Sequence, residues 1–125
     1  MSGKEIILIV DDEESIIEVA SEVLDRQGYH ILASAYGSEA IAMYEKTTPP
    51  IDLVILDVNL PDMSGEDVLD RLHDINPHVK VILSSGYNLS EKANALTEKG
   101  VRQFLQKPFR MMELIKKVRN ALDEE

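Results

Sequence analysis

Short apolar runs recur along the chain, separated by longer stretches whose apolar residues return every three or four positions. The runs are 6–10 (Ile-Ile-Leu-Ile-Val), 30–34, 51–56, 79–84 and 101–105. Most are continuous and rich in β-branched residues, the pattern of strands covered on both faces of a parallel sheet. Between them Ile16, Ala20, Val23 and Leu24 form one helical stripe. Further stripes are Ala40, Ile41 and Tyr44, then Val68, Leu69, Leu72 and Ile75, and lastly Met111, Ile115, Val118 and Leu122. Each is suited to cover one side of a sheet. The segment 90–99 offers only Ala93 and Leu96, so a helix there is expected to be the least firmly packed. The punctuation agrees. Gly28 and Gly100 stand where helices should stop, Pro49-Pro50 and Pro77 precede strands, and Ser15-x-x-Glu18 has the spacing of a capping box.

Five strand–helix pairs with right-handed crossovers make an α/β fold, an open, doubly wound, five-stranded parallel sheet with five helices. Of the common strand orders, the flavodoxin-like 2-1-3-4-5 fits five strands. Ligands of such sheets sit outside the carboxyl ends of the strands, near the point where the winding reverses between strands one and three. The search for chemistry therefore narrows to the loops that follow the strands.

Composition removes several classes of function. A chain of 125 residues has room for one domain with its own core. The absence of cysteine excludes disulfide scaffolds, thiolate metal sites and thiol nucleophiles. With 23 acidic and 13 basic side chains the net charge is −10, which repels phosphate backbones, so direct nucleic-acid binding is not expected. No apolar stretch approaches the roughly 20 residues of a membrane helix, and residues 1–5 carry no apolar signal region, so a cytoplasmic location is expected. Dinucleotide and nucleotide loops of the G-x-G-x-x-G or Walker type are missing. His30, His73 and His78 are scattered and read as structural or surface residues.

Carboxylates gather at the strand ends. Strand one runs into Asp11-Asp12-Glu13-Glu14 and strand three into Asp57. Neighbouring strands lie about 4.8 Å apart. Carboxylates that close repel one another unless a cation sits among them, and a hard divalent ion such as Mg²⁺ resolves the conflict. Strand four ends in Ser84-Ser85-Gly86 and strand five is followed by Lys107-Pro108, which adds a hydroxyl and an ammonium to the same rim. Singly, each is an ordinary cap, turn or solvated charge. Together they are the parts of phosphoryl transfer: a carboxylate acceptor, a metal, and donors to the transferred group.

In this order and spacing the motifs Ile-Val-Asp-Asp-Glu (9–13), Leu-Asp-Val-Asn-Leu-Pro-Asp-Met-Ser-Gly (56–65), Ser-Ser-Gly-Tyr (84–87) and Phe-Leu-Gln-Lys-Pro-Phe (104–109) closely resemble the receiver domain of two-component response regulators. The likeness covers residues 4–123. It implies that Asp57 is a phosphoacceptor, charged by a phosphohistidine on a sensor histidine kinase or histidine phosphotransfer domain. Mg²⁺ would be held by Asp12, Asp57 and the backbone carbonyl of Asn59, with Asp11 acting through a water and Glu13 beside the pair. Lys107 and Ser85 would meet the phosphoryl oxygens, and the Lys107–Pro108 peptide would be cis. Ser85 and Phe104 would form the switch, acting on the surface of the fourth helix, fifth strand and fifth helix, while Asn59 and Tyr87 would tune the lifetime of the modified state.

The resemblance further implies a signalling phosphoacceptor rather than an enzyme, with a downstream effector as partner and a phosphorylation-dependent homodimer as one form of output. The last two motifs also resemble receiver modules at the C-termini of hybrid histidine kinases. Two alternatives stay open at this point: a pseudo-receiver that acts unphosphorylated as an interaction module, and a Mg²⁺-dependent phosphatase with an aspartyl-phosphate intermediate. The second would want an Asp two residues past the nucleophile, where this chain has Asn59.

Overall fold

In the computed structural model, which describes residues 5–124, five strands form a single parallel sheet. Residue 4, where the domain is expected to begin, lies outside the described residues. The strands are β1 (Ile6–Val10), β2 (His30–Ser34), β3 (Leu53–Asp57), β4 (Val81–Ser85) and β5 (Val101–Gln106), ordered β2-β1-β3-β4-β5. The helices are α1 (Glu14–Arg26), α2 (Gly37–Lys46), α3 (Gly65–Ile75), α4 (Ala93–Glu98) and α5 (Met111–Asp123). Class, strand order and helix number are those read from the sequence.

Because side chains alternate across a strand, each central strand feeds two cores. Leu8, Val10, Val54, Leu56, Val81 and Leu83 face α2 and α3 through Ala40, Ile41, Val68, Leu69 and Leu72. Ile7, Ile9, Leu53, Ile55 and Ile82 face α1 and α5 through Ala20, Leu24, Leu114 and Val118. The continuous apolar runs follow from this two-sided burial, since no position of β1, β3 or β4 faces water.

Three kinds of local expectation are corrected. Strands three and four begin later than the apolar runs 51–56 and 79–84. Asp52 meets Ile6 through its own amide (2.8 Å) and through its carboxylate (2.8 Å), and the Val79 amide is spent on the carbonyl of Asn76, so the ladders start at Leu53 and Val81. Ile51 and Val79 are still buried; the apolar signal there reports burial and not strand pairing. Strands three, four and five each run one residue further than expected, to Asp57, Ser85 and Gln106. Ser15-x-x-Glu18 is no capping box: Glu13 is the N-cap, its carbonyl accepting from Ile16 and Ile17, and Ser15 lies inside the first turn.

In α5 the buried line is Leu114, Val118 and Ala121, with Met111, Ile115 and Leu122 on its flanks. The apolar arc of this helix is broader than one stripe, and its centre turns to the sheet. Gly28 and Gly100 take positive φ values (98° and 112°) at the ends of α1 and α4, as their placement after helices requires. The segment 90–99 holds one 3-10 turn (Ser90–Lys92) and the six-residue α4, whose single buried side chain is Leu96. Among the described residues no helix is long and apolar enough to cross a membrane.

Leu69→Ala removes a fully buried side chain from the α2/α3 core and should lower stability by about 2–5 kcal/mol in urea unfolding. Met112→Ala, at a position 76% exposed, should stay within about 0.5 kcal/mol of the parent in the same measurement.

Candidate functional site

Parallel strands bring all their carboxyl ends to one edge, and the site is assembled there by backbone hydrogen bonds. The Asp11 amide donates to the carbonyl of Ser34 (3.1 Å), extending the β1/β2 ladder by one step. Asp11 Oδ1 then accepts from the Glu13 amide (2.9 Å), an Asx turn that fixes the carboxylate and leads into α1. Asp57 is the last residue of β3, and the Val58 amide donates to the Ser84 carbonyl (3.0 Å), so the nucleophile candidate stands on a strand that is held beyond its own position. The Lys107 amide donates to the Ser85 carbonyl (2.7 Å), which sets the lysine at the same rim; its peptide bond to Pro108 is cis, as is Thr48–Pro49.

The side chains converge on one point. Lys107 Nζ lies 3.0 Å from Asp11 Oδ2, 3.1 Å from Glu13 Oε1 and 3.2 Å from Asp57 Oδ2. Asp11 and Asp57 are buried, at 3% and 6% exposure, while Asp12 stands exposed beside them. Carboxylate oxygens of all three aspartates lie within 4.8 Å of one another. Burial opposes the charge on Lys107, but its hydrogen bonds to Asp11 and Glu13 and the charges of Asp11 and Asp57 outweigh that and hold its pKa above the ordinary lysine range. Burial pushes the Asp11 carboxyl up, against the pull of the Glu13 amide and of Lys107.

One ammonium leaves the cluster of Asp11, Asp12, Glu13 and Asp57 with excess negative charge. Oxygen donors of this kind, close together and part-buried, are the set a hard divalent cation such as Mg²⁺ takes. The donor set therefore fits the metal.

The remaining sequence candidates sit around this centre. The Asn59 amide approaches Asp57 Oδ1 at 3.3 Å, placing Asn59 immediately beside the carboxylate. Ser85 is buried at the end of β4, and its Oγ accepts from the Tyr87 amide at 3.0 Å; Tyr87 itself is exposed and lines the open cavity beside Ser85. Phe104 is set back from the rim on β5 and packs partly against the α2/α3 core. Ser85 and Phe104 line the same open cavity of about 410 Å³, together with Leu89, Ala93 and Lys117. None of the three histidines is at the rim: His30 is on β2, His73 on α3 and His78 in the loop before β4.

Gly65, the last residue of the 56–65 motif, makes a close backbone approach that only glycine allows. A Cβ there would lie 2.3 Å from the Asp57 carbonyl oxygen and 2.6 Å from Val58 Cα. The start of α3 thus packs directly on the backbone of the nucleophile candidate, with the Gly65 amide on the Val58 carbonyl (2.7 Å) and Ser64 capping the helix through Asp67. The available signal was a glycine directly after a capping serine, eight residues past Asp57.

A family model for the response regulator receiver domain matches residues 7–119. The chain belongs to this family. Among receiver-bearing relatives, the probable transcriptional regulatory protein TcrX of Mycobacterium tuberculosis is 38% identical over 93% of this chain, which spans 49% of that protein. The chain thus covers about half of TcrX. A CheY-like receiver domain from Methanospirillum hungatei superposes with a TM-score of 0.87 at 30% identity, covering 97% of this chain and 95% of that one. The CheX-CheY-BeF3-Mg complex from Borrelia burgdorferi gives a TM-score of 0.89 at 26% identity, covering 96% and 90%. Receivers are signalling domains of two-component systems, and the acidic pocket of this one is consistent with a phosphoacceptor site and with Mg²⁺ binding.

In this receiver Gly65→Ala forces the Asp57 and Val58 backbone aside and should cost about 1–3 kcal/mol in denaturant unfolding, with displaced Asp57 and Asn59 amide resonances. The raised Asp11 carboxyl makes a second test, in metal-free buffer. A group that holds its proton more tightly when folded adds stability as pH falls through its folded pKa towards the unfolded value of 3.8. Wild type should therefore gain stability relative to Asp11→Asn as pH is lowered from 7 towards 4, measured as the difference between their urea midpoints.

Proposed function

We propose that residues 4–123 form a phosphoacceptor receiver, in which Asp57 accepts a phosphoryl group from a partner phosphohistidine. The observation that carries this reading is a buried Asp57 carboxylate held 3.2 Å from the Lys107 ammonium and within 4.8 Å of two further aspartates. An Asp57 oxygen attacks phosphorus, a P–O bond forms, and the P–N bond to the partner's imidazole breaks with its electron pair leaving on nitrogen. Asp12, Asp57 and the Asn59 carbonyl would hold Mg²⁺, with Asp11 acting through water. When bound, the ion supplies positive charge against the carboxylates and the phosphoryl oxygens.

Lys107, kept protonated by its acidic neighbours, meets one phosphoryl oxygen as a point charge, and the Ser85 hydroxyl donates to another. The arriving group adds about −1.5 to −2 charges and three acceptors. Drawing Ser85 towards them opens room in the cavity it shares with Phe104, so the ring moves and carries α4, β5 and α5 with it. The thin packing of α4 supports this, because a segment held by one buried side chain, Leu96, and by the exposed ion pairs Lys92–Glu66 and Lys99–Asp70 shifts at little cost. Asn59 orients attacking water and the Tyr87 ring obstructs it, which together set a modest rate of self-dephosphorylation. Partners in this reading are a sensor histidine kinase or histidine phosphotransfer domain upstream and an effector protein or domain downstream, in the cytoplasm.

Intact mass after incubation with acetyl phosphate tests the proposal. A gain of one phosphoryl group that needs Mg²⁺ and vanishes in Asp57→Asn is the expected result. No adduct, together with no response of the Phe104 and 90–99 amides to beryllofluoride and Mg²⁺, would leave an unphosphorylated interaction module in its place.

A further inference from the structure

Helix α2 begins without a cap of its own. Its N-cap residue, Tyr36, makes no side-chain capping bond, and the first amides of the helix are satisfied from another loop. Asp62 Oδ1 accepts from the Gly37 amide at 2.7 Å and Oδ2 from the Ser38 amide at 3.0 Å, a bidentate contact spanning 25 and 24 residues of sequence. These bonds also hold the Asp62 carboxyl below the usual carboxylate range. Met63 adds an apolar contact at the same spot. A Cβ on Gly37 would lie 2.5 Å from Met63 Cγ and 2.7 Å from Val68 Cγ2, so the first turn of α2 is bare in order that the 59–64 loop can lie on it.

That loop starts at the acidic centre. Its two ends are joined by the bridge between Asn59 and Ser64 and by the Gly65 amide on the Val58 carbonyl. Its outer part, with Asp62 at the tip, rests on α2. The same corner also touches the other acidic loop, because the Ser34 carbonyl that accepts from the Asp11 amide belongs to the residue whose hydroxyl bonds the Tyr36 carbonyl (2.9 Å) and Glu39 (2.6 Å). The start of α2 is thus the common support of the loop carrying Asp11 and Asp12 and of the loop following Asp57.

We propose that Asp62 is a positioning residue for the metal and phosphoryl site, fixing the Asn59 backbone relative to Asp11 and Asp12 by clamping the 59–64 loop onto the first turn of α2. This rests on the Mg²⁺ site proposed above. Asp62 touches neither metal nor phosphoryl group; it acts through the Gly37 and Ser38 amides and the loop backbone.

The test is a Mg²⁺ titration followed by amide resonances, on wild type, Asp62→Ala and Gly37→Ala, with circular dichroism and urea unfolding as checks on the fold. Asp62→Ala should weaken Mg²⁺ binding by about tenfold, the lower range for loss of an outer-shell partner, and should shift the Asn59 and Ser64 amides in the metal-free state. Gly37→Ala changes no charge and pushes Met63 off the helix, so the same direction of change there assigns the effect to loop position. Repeating the titration in high salt removes the distant charge effect of Asp62 and should leave the difference in place. Unchanged Mg²⁺ affinity in both folded variants, or a difference for Asp62→Ala that disappears in salt, would overturn the proposal. Should wild type itself bind no Mg²⁺, the metal site fails first, and unmoved Asn59 and Ser64 amides in metal-free Asp62→Ala would then overturn the clamp separately.

Discussion

Excess negative charge held at one edge of a parallel sheet is the constraint to which the rest of this molecule answers. Asp11 and Asp57 are buried on neighbouring strands, Asp12 and Glu13 stand beside them, and a single ammonium reaches three of the four. Burial is what chiefly raises the Asp11 carboxyl, against the pull of the Glu13 amide and Lys107, and the nearby Asp57 charge adds to the rise. A chain would not keep this arrangement for stability, because an apolar residue at Asp11 or Asp57 would bury more comfortably. What it provides is a prepared site. In the proposed receiver a divalent cation relieves the repulsion among these carboxylates and offsets the charge of the arriving phosphoryl group.

Such a cluster is useful only if the loops cannot relax away from it, and each is held by backbone bonds, while one oxygen of Asp11 and of Asp57 is itself fixed by a neighbouring amide. Asp11 is continued from β1 by a ladder bond to Ser34, Val58 continues β3 on Ser84, and Lys107 continues β5 on Ser85. In all three the sheet reaches one residue past its regular end. Gly65 then allows α3 to abut the Asp57 carbonyl at a distance that no side chain tolerates. The site is therefore carried by strand ends and helix starts, which fixes position better than free loops do.

The sheet was legible because its signal is strong and local: five apolar runs, glycines at helix ends, and carboxylates after the first and third runs. The failures were equally physical. Ile51 and Val79 are buried without pairing, so hydrophobicity overstated two strands at their beginnings. Ser15 and Glu18 matched a capping box by spacing, but Asp11 had already turned the chain and made Glu13 the helix cap. The carboxylates, hydroxyl and ammonium at the strand ends could be gathered by type from the sequence, whereas their individual roles came only with the resemblance of the four motifs to receiver domains. Gly65 and Asp62 could not be picked out by type, since their importance lies in what they touch: a backbone oxygen in one case, and two amides 25 and 24 residues away in the other. Contacts at that separation leave no period in the sequence.

Packing strength falls off across the molecule in the direction a signal would have to travel. The centre of the sheet, from β1 through β4, is buried on both faces, and there the acidic site is anchored. Beyond it β5 is only partly covered, and α4 is a short helix with Leu96 as its one buried side chain. Between the two lies the cavity shared by Ser85 and Phe104. Two-sided burial of β1, β3 and β4 leaves their backbone little room to shift beneath the acidic site. In the proposed receiver the work of a new charge at Asp57 passes to the thinly held α4/β5 flank.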